Sequence, residues 1–246
     1  MRVSQLRRHP VKAMAGEVLA AVEVDARGLV GDRWYAVVDD DGRLATGKDG
    51  RRFRRRDAVL DHAAATTTNG VRVNGPSGSW TVGDPGLDAA LSRVMDAPVR
   101  VLPEDRPGAV PHQDAAAVSL VGTATLDWCR EHLHVDADPR RLRANVVVAT
   151  DEPFVEETWE GALVQVGEVV LEVLERTVRC RMVDVAQDGL PAEPGFLRAL
   201  GRERDASLGV YAEARTPGTL RVGDPVGPVG PAGPVDGPVD GPVDAG

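Results

Sequence analysis

LVQVGEVVLEVL, residues Leu163 to Leu174, is the strongest apolar run in the chain, and its reading decides the fold. Twelve such residues could form a buried helix or two short strands, which periodicity alone does not separate. Five of the twelve are valine, whose branched β-carbon suits a pleated surface, and Gly167-Glu168 sits where a turn would join two strands. Paired strands are therefore expected. The run leads into ERTVRCRMVD, Glu175 to Asp184, which carries one of the two cysteines, Cys180, between Arg179 and Arg181.

Working towards the N-terminus, the same texture recurs. Val18 to Val24 and Arg33 to Val38 are apolar or alternating segments, each closed by a turn signal, DARG and DDDG. Further strand-like runs follow at Ala58 to Ala65, Val71 to Val73 and Ser79 to Val82, separated by NG and GPSG. Three helices interrupt the pattern. Asp84 precedes PGLDAALSRVMD, where Leu87, Leu91 and Val94 share a helical face and Asp84 can cap the first turn. Thr123 to Leu133 and Gly195 to Arg204 are the other two, the last basic at its end as the helix dipole prefers. The fold class expected is mainly β with a few helices, in antiparallel barrel or sandwich sheets.

A polar, proline-bearing stretch at Pro103 to Pro111 suggests a hinge, dividing residues 1–102 from residues 103–226. Residues 227–246, GPVGPAGPVDGPVDGPVDAG, hold five of the eighteen prolines and read as a disordered tail. Their first nine residues fit a Gly-X-Y triplet, but the aspartates reset the spacing to four, which a collagen helix cannot accommodate.

Composition narrows the function. Two cysteines in 246 residues provide no disulfide framework, and no segment reaches the roughly 20 apolar residues of a membrane span. A cytoplasmic protein with no membrane association is expected. The net charge of −9 disfavours bulk attraction to nucleic acid, although RRFRRR at Arg51 to Arg56 is a local basic cluster. With Phe53 its one aromatic, that run is thinly equipped to stack on single strands and reads best as a solvated loop beside a pocket.

A thiolate is a soft ligand suited to thiophilic metals, so Cys180 could bind one; a free cysteine is more often buried in a core. Both readings stand on spacing alone. On an extended strand Arg179 and Arg181 would point away from the Cys180 face. Cys129, His132 and His134 form a Cys-x-x-His-x-His array, but no fourth ligand is evident and solvated helix-end histidines explain it as well.

Five ordered segments add a different kind of information: HPVKAMAGE (His9 to Glu17), GLVGDRWYAVVDDDGRLATGK (Gly28 to Lys48), RLRANVVV (Arg141 to Val148), RTVRCRMVD (Arg176 to Asp184) and LGVYAEARTPGTLRVGDPV (Leu208 to Val226). Together they resemble the MOSC proteins, the family of the molybdenum cofactor sulfurase C-terminal domain, including the amidoxime-reducing component with its preceding β-barrel domain. The resemblance implies a MOSC β-barrel preceded by a smaller β-barrel-like domain, with a molybdopterin held between them. It implies that Cys180 is the protein's molybdenum ligand and the catalytic centre, and that Lys12, Arg33, Arg143, Asn145 and Tyr211 bind the cofactor. Fixed cations suit a phosphate-bearing, electron-rich cofactor, arginine as a fork and lysine as a compact charge.

Two positions depart from the family pattern. Its Lys-Ser pair is Lys12-Ala13 here, which removes a hydroxyl donor, and its Arg-Pro-Asn segment has Ala144 in place of proline. The activity implied is reduction of small N-hydroxylated or N-oxygenated compounds. Electrons would come from an external electron-donor protein, since the sequence has no CxxxxCxxC cluster motif and no dinucleotide-binding glycine fingerprint. The alternative is a non-catalytic carrier of molybdenum cofactor or of sulfur. A complete cofactor sulfurase is not expected, because the long aminotransferase-like domain is lacking.

Overall fold

The computed structural model describes residues 1–104 and 112–231; the expected hinge at Pro103 to Pro111 falls largely outside them. In the first half, β1 (Arg2–Arg8), β2 (Glu17–Leu19), β3 (Ala21–Asp25) and β4 (Gly28–Leu29) are followed by β5 (Tyr35–Asp39), β6 (Leu44–Thr46) and β7 (Phe53–Arg55). Then come β8 (Ala63–Thr67), β9 (Gly70–Gly75), β10 (Gly78–Thr81), α1 (Pro85–Met95) and β11 (Val99–Pro103). The second half carries β12 (Val118–Gly122), α2 (Thr123–Trp128), α3 (Pro139–Leu142), β13 (Val146–Ala149), β14 (Ala162–Val166) and β15 (Val169–Val178). It ends with α4 (Phe196–Glu203), β16 (Ser207–Thr216), β17 (Gly218–Arg221) and β18 (Val226–Pro231). The chain is mainly β with a few helices.

The valine-rich run is the hairpin β14–β15, turning at Gly167-Glu168, with Val164 opposite Leu171. It lies in an eight-stranded sheet of order β18-β14-β15-β16-β12-β13-β1-β2. Alternation sorts its two faces: Leu120, Val146 and Val148 join Val164, Leu171, Val173 and Val210 in the main core, whereas Val121 and Val147 face the layer of α2 and α4 with Leu126 and Phe196. A second core, with Val37, Val59, Leu87 and Leu91, fills the first half between β5, β8, β9 and α1.

The sheets do not divide where residues 102 and 103 meet. β1 pairs with β13, and β3 pairs with β17, so N-terminal strands complete sheets of the second half. These pairings join residues more than a hundred positions apart, and no local pattern announces them.

Local expectations differ from the structure at several places. Asp57–Asp61 is a 3-10 turn that precedes β8, so the strand expected at Ala58 to Ala65 forms only in its latter part. Asp84 caps α1 through the amide of Gly86 at 2.8 Å, as expected. The helix expected at Thr123 to Leu133 is α-helical only to Trp128, and Cys129–Leu133 widens into a π-turn. α3 was not foreseen; Asp138 caps it through the amide of Arg140 and Pro139 opens it. Residues 227–231, assigned to the tail, form most of β18 and pair with β14, because a hydrophobic sheet edge offers main-chain partners to a chain otherwise too apolar-poor to order. The rest of that tail lies outside the described residues.

Candidate functional site

Main-chain geometry gathers the site before any side chain acts. Three non-glycine residues along its wall adopt left-handed backbone: Ala13 (φ 69°), Arg33 (φ 55°) and Arg143 (φ 54°). Each such residue costs about 1–3 kcal/mol, and persists only where surrounding contacts hold it. Here they interlock: Arg143 donates from Nη1 to the Ala13 carbonyl at 3.3 Å and from Nη2 to the Met14 carbonyl at 2.8 Å, and Lys12 donates its amide to the Tyr35 carbonyl at 2.8 Å. The lost serine hydroxyl at Ala13 is therefore a loss of side chain only; the turn that positions Lys12 is intact.

The six residues singled out from the sequence, Lys12, Arg33, Arg143, Asn145, Cys180 and Tyr211, all line one cavity. It lies between the halves, with Lys12, Arg33, Thr46 and Lys48 on one side and β12, β15, β16 and the α3–β13 turn on the other. Cys180 is half-buried, in extended conformation (φ −126°), between the end of β15 and a 3-10 turn at Arg181–Val183. Its carbonyl accepts the Val183 amide at 3.2 Å. The thiol thus belongs to the cavity wall and not to a hydrocarbon core.

Charge is the cavity's dominant property. Among the described residues, six basic side chains line it (Lys12, Arg33, Lys48, Arg141, Arg143 and Arg179) against one carboxylate, Asp114. Arg33 is offset by an ion pair with Asp32, and Arg141 by Asp136 at 3.0 Å. Asp114 bridges Lys12 at 3.1 Å and Lys48 at 2.9 Å. Arg143 and Arg179 bond only main-chain carbonyls among the described residues, Arg179 reaching those of Leu208 and Leu142.

The titration behaviour follows. Burial pushes Lys12 down to about 8 despite the attraction of Asp114, and pushes Arg143 down to about 10, with Arg33 adding repulsion. Burial also lowers Arg179. For Arg33 and Lys48 burial acts downward, but Asp32 and Asp114 respectively are the main attractions that leave each raised. Burial opposes ionisation of Asp114 too, yet Lys12 and Lys48 hold its carboxyl well below the usual carboxylate range. Below the cavity, His9 is fully buried and held neutral by burial and by Arg143, Arg33 and Arg7.

Asn145 has a partly structural task. Its Oδ1 accepts from the Ser119 amide at 3.1 Å and the Ser119 hydroxyl at 3.0 Å, and its Nδ2 donates to the Arg7 carbonyl at 3.3 Å, tying β12, β13 and β1 beneath the cavity. Tyr211 stands on β16 with its hydroxyl raised by burial.

Four charged lining residues escaped the sequence reading as site residues: Lys48, Asp114, Arg141 and Arg179. Arg179 is a correction. Strand alternation was expected to turn it away from Cys180, but the ladder shifts register between Arg176 and Val178 and β15 then ends, so both residues reach the same cavity. Lys48 and Arg141 lie inside segments already matched to the family and could have been picked from them; Asp114 carries no local signal.

Other motifs resolve elsewhere. Arg54 is paired with Asp41 at 3.4 Å, Arg55 with Asp57 at 2.9 Å and Arg56 with Asp39 at 3.6 Å, so much of the arginine run is neutralised locally. Its aromatic, Phe53, instead carries Lys12, Lys48 and Arg52 over its ring at 5.2, 4.6 and 5.0 Å, beside the cavity. Cys129 is buried with its thiol pushed up to about 12 by burial, while His132 stacks on Trp128 at 4.9 Å. No group of three or more His, Cys, Asp or Glu side chains among the described residues is arranged to hold a metal ion. No helix among them is long and apolar enough to cross a membrane.

Fold and site together define a two-part β-rich protein with a cation-lined, thiol-bearing cleft between its halves. Residues 1–117 match the MOSC N-terminal beta barrel domain and residues 107–227 the MOSC domain, and the chain belongs to the MOSC family. It is 26% identical to mitochondrial amidoxime-reducing component 1 of Danio rerio over 91% of this chain and 83% of that protein. The protein of the same name from Homo sapiens is 25% identical over 91% and 82%. Among solved structures, the YUAD protein from Bacillus subtilis superposes with a TM-score of 0.51 at 15% identity, covering 92% of this chain and 93% of that one, a likeness in fold.

Proposed function

We propose that this protein binds molybdenum cofactor in the cleft, with the Cys180 thiolate as the protein's ligand to molybdenum, and reduces N-hydroxylated compounds with electrons from a separate protein. The observation that carries the reading is the meeting of Lys12, Arg33, Arg143, Asn145, Cys180 and Tyr211, from five separated segments, in one cation-rich cavity.

The donor set fits the group. Arg143 and Arg179 are cations whose bonds run to main-chain carbonyls, a costly arrangement unless an anion shares the site. A cofactor phosphate would supply that charge, held by the Arg143 and Arg33 forks and by the Lys12 ammonium. Cys180 would offer the soft sulfur that molybdenum prefers over carboxylate. The cofactor would supply two-electron redox chemistry that no side chain here can perform. In the overall reaction the N–O bond breaks, two electrons and two protons are consumed and the oxygen leaves as water. The side chains orient the cofactor, and the basic wall attracts an electron-rich N-oxygenated group. The names of the relatives, amidoxime-reducing components, support this substrate class. Two unpaired cysteines suit a reducing compartment, which supports the cytoplasm as its location.

The test is molybdenum content and turnover in one preparation. Protein isolated from cells that make the cofactor should carry molybdenum near one per chain and reduce benzamidoxime with a chemical electron donor; Cys180→Ala should lose the turnover. Wild-type protein devoid of molybdenum refutes the binding, and metal without turnover leaves a carrier.

A further inference from the structure

Arg181 follows Cys180 directly, and its side chain leaves the cavity wall for the other half of the molecule. Its Nη1 and Nη2 engage both oxygens of Asp57, at 2.9 and 2.8 Å, across 124 positions of sequence. The same Nη1 donates to the Gly47 carbonyl, one residue before Lys48. A bidentate fork is the most directional ion pair a protein can build, and here it spans the two walls of the cleft at the residue next to the thiol. The packing at Gly47 reinforces it: a Cβ there would lie 2.5 Å from the Met182 sulfur and 3.5 Å from Arg181 Nη1. The backbone at Gly47 therefore rests directly on the Arg181–Met182 turn.

Asp57 opens the 3-10 turn before β8, and it holds Arg55 as well as Arg181, so one carboxylate ties the rim of the first half to the Cys180 loop. The pair is exposed by about a third at Arg181 (34%) and somewhat more at Asp57 (42%). Such a pair adds little to global stability, which argues for a local task.

We propose that Arg181 and Asp57 form a clamp that sets the position of the Cys180 thiol relative to the facing wall at Gly47 and Lys48, and so holds the cleft at its working width. Both are positioning residues; neither lines the cavity. This rests on the reading of Cys180 as the site's functional thiol. A released clamp lets the turn at Arg181–Val183 swing from the first half and exposes the sulfur.

The experiment uses the full chain produced in cells unable to make molybdenum cofactor, so that the thiol is free, and follows its modification by Ellman's reagent. Cys129 is fully buried, so native protein should present one reactive thiol, removed in Cys180→Ala. Asp57→Asn and Arg181→Ala each release the clamp but change the local charge in opposite senses. Both should accelerate modification by roughly fivefold, the effect expected from losing one well-formed, partly exposed ion pair. The exchanged pair, Asp57→Arg with Arg181→Asp, should restore most of the wild-type rate. Thermal unfolding of every variant is recorded, and only variants melting near the wild type are compared. Unchanged rates, rates that move in opposite directions, or no rescue by the exchanged pair overturn the clamp. The molybdenum content of wild-type protein from cofactor-competent cells is measured in parallel. Loss of that metal refutes the cofactor reading, whereas altered thiol kinetics bear on the clamp alone.

Discussion

Raising the pH should switch off one of the cleft's cations before the others. Lys12 is 4% exposed, and burial brings its pKa from 10.5 to about 8. That difference is worth about 3 kcal/mol against the charged form. An oxyanion seated beside Nζ would repay the cost and return the lysine towards its ordinary value, so anion binding should take up a proton above about pH 8. Sulfate is a suitable probe because its own charge is constant over the range. If the bound lysine titrates near 10.5, sulfate affinity should fall roughly 25-fold between about pH 7 and about pH 9.5. Lys48 is raised and Arg143 lies near 10, so neither should dominate that window. Isothermal titration in buffers of differing ionisation heat reads both the affinity and the proton uptake. In Lys12→Met the profile should be nearly flat, with only the small contribution of Arg143 remaining towards about pH 9.5. A flat profile in the wild type, or an equal fall in the variant, would refute the assignment of the cost to Lys12. The same pKa fixes a stability trend: because the folded value lies below the unfolded one, the unfolded chain binds more protons between about pH 8 and 10.5, and this group's contribution to stability rises with pH there.

Two substitutions probe the scaffold. Leu171→Ala, at a fully buried position where β14 and β15 meet the main core, should lower unfolding free energy in urea by about 3 kcal/mol with little change in the denaturant slope; a loss under about 1 kcal/mol would mean that the core collapses around the cavity. Gly209→Ala places a Cβ 2.5 Å from the Leu120 carbonyl oxygen at a left-handed position (φ 71°), next to the carbonyl that holds Arg179. It should cost about 2 kcal/mol in the same assay, and neutrality would show that β12 and β16 can part at no cost.

Much of the fold was legible because its signals are local. The valines of Leu163 to Leu174 set a hairpin, and Asp84 and Pro85 set the start of α1. What misled was also local: the start of the strand expected at Ala58 to Ala65 bends into a 3-10 turn, and residues 227–231 look like tail but complete a sheet edge. The candidate site was legible through ordered family segments, since neither Lys12 nor Cys180 is distinctive by itself.

By itself the sequence determined which residues could serve a soft metal and an anion, because thiol, ammonium and guanidinium chemistry belongs to the side chain wherever it lies. It also determined many of the strands and three of the α-helices, whose causes span a few neighbouring positions. Only the tertiary structure decided that β1 lies beside β13, that Arg179 faces the cavity while Arg181 reaches Asp57, and that Asp114 sits between two lysines. Those outcomes depend on strand pairing across a hundred or more residues and on where a ladder shifts register. Burial, which pulls Lys12 and Arg143 down and which the lysines overcome at Asp114, exists only once both halves have closed around the cleft.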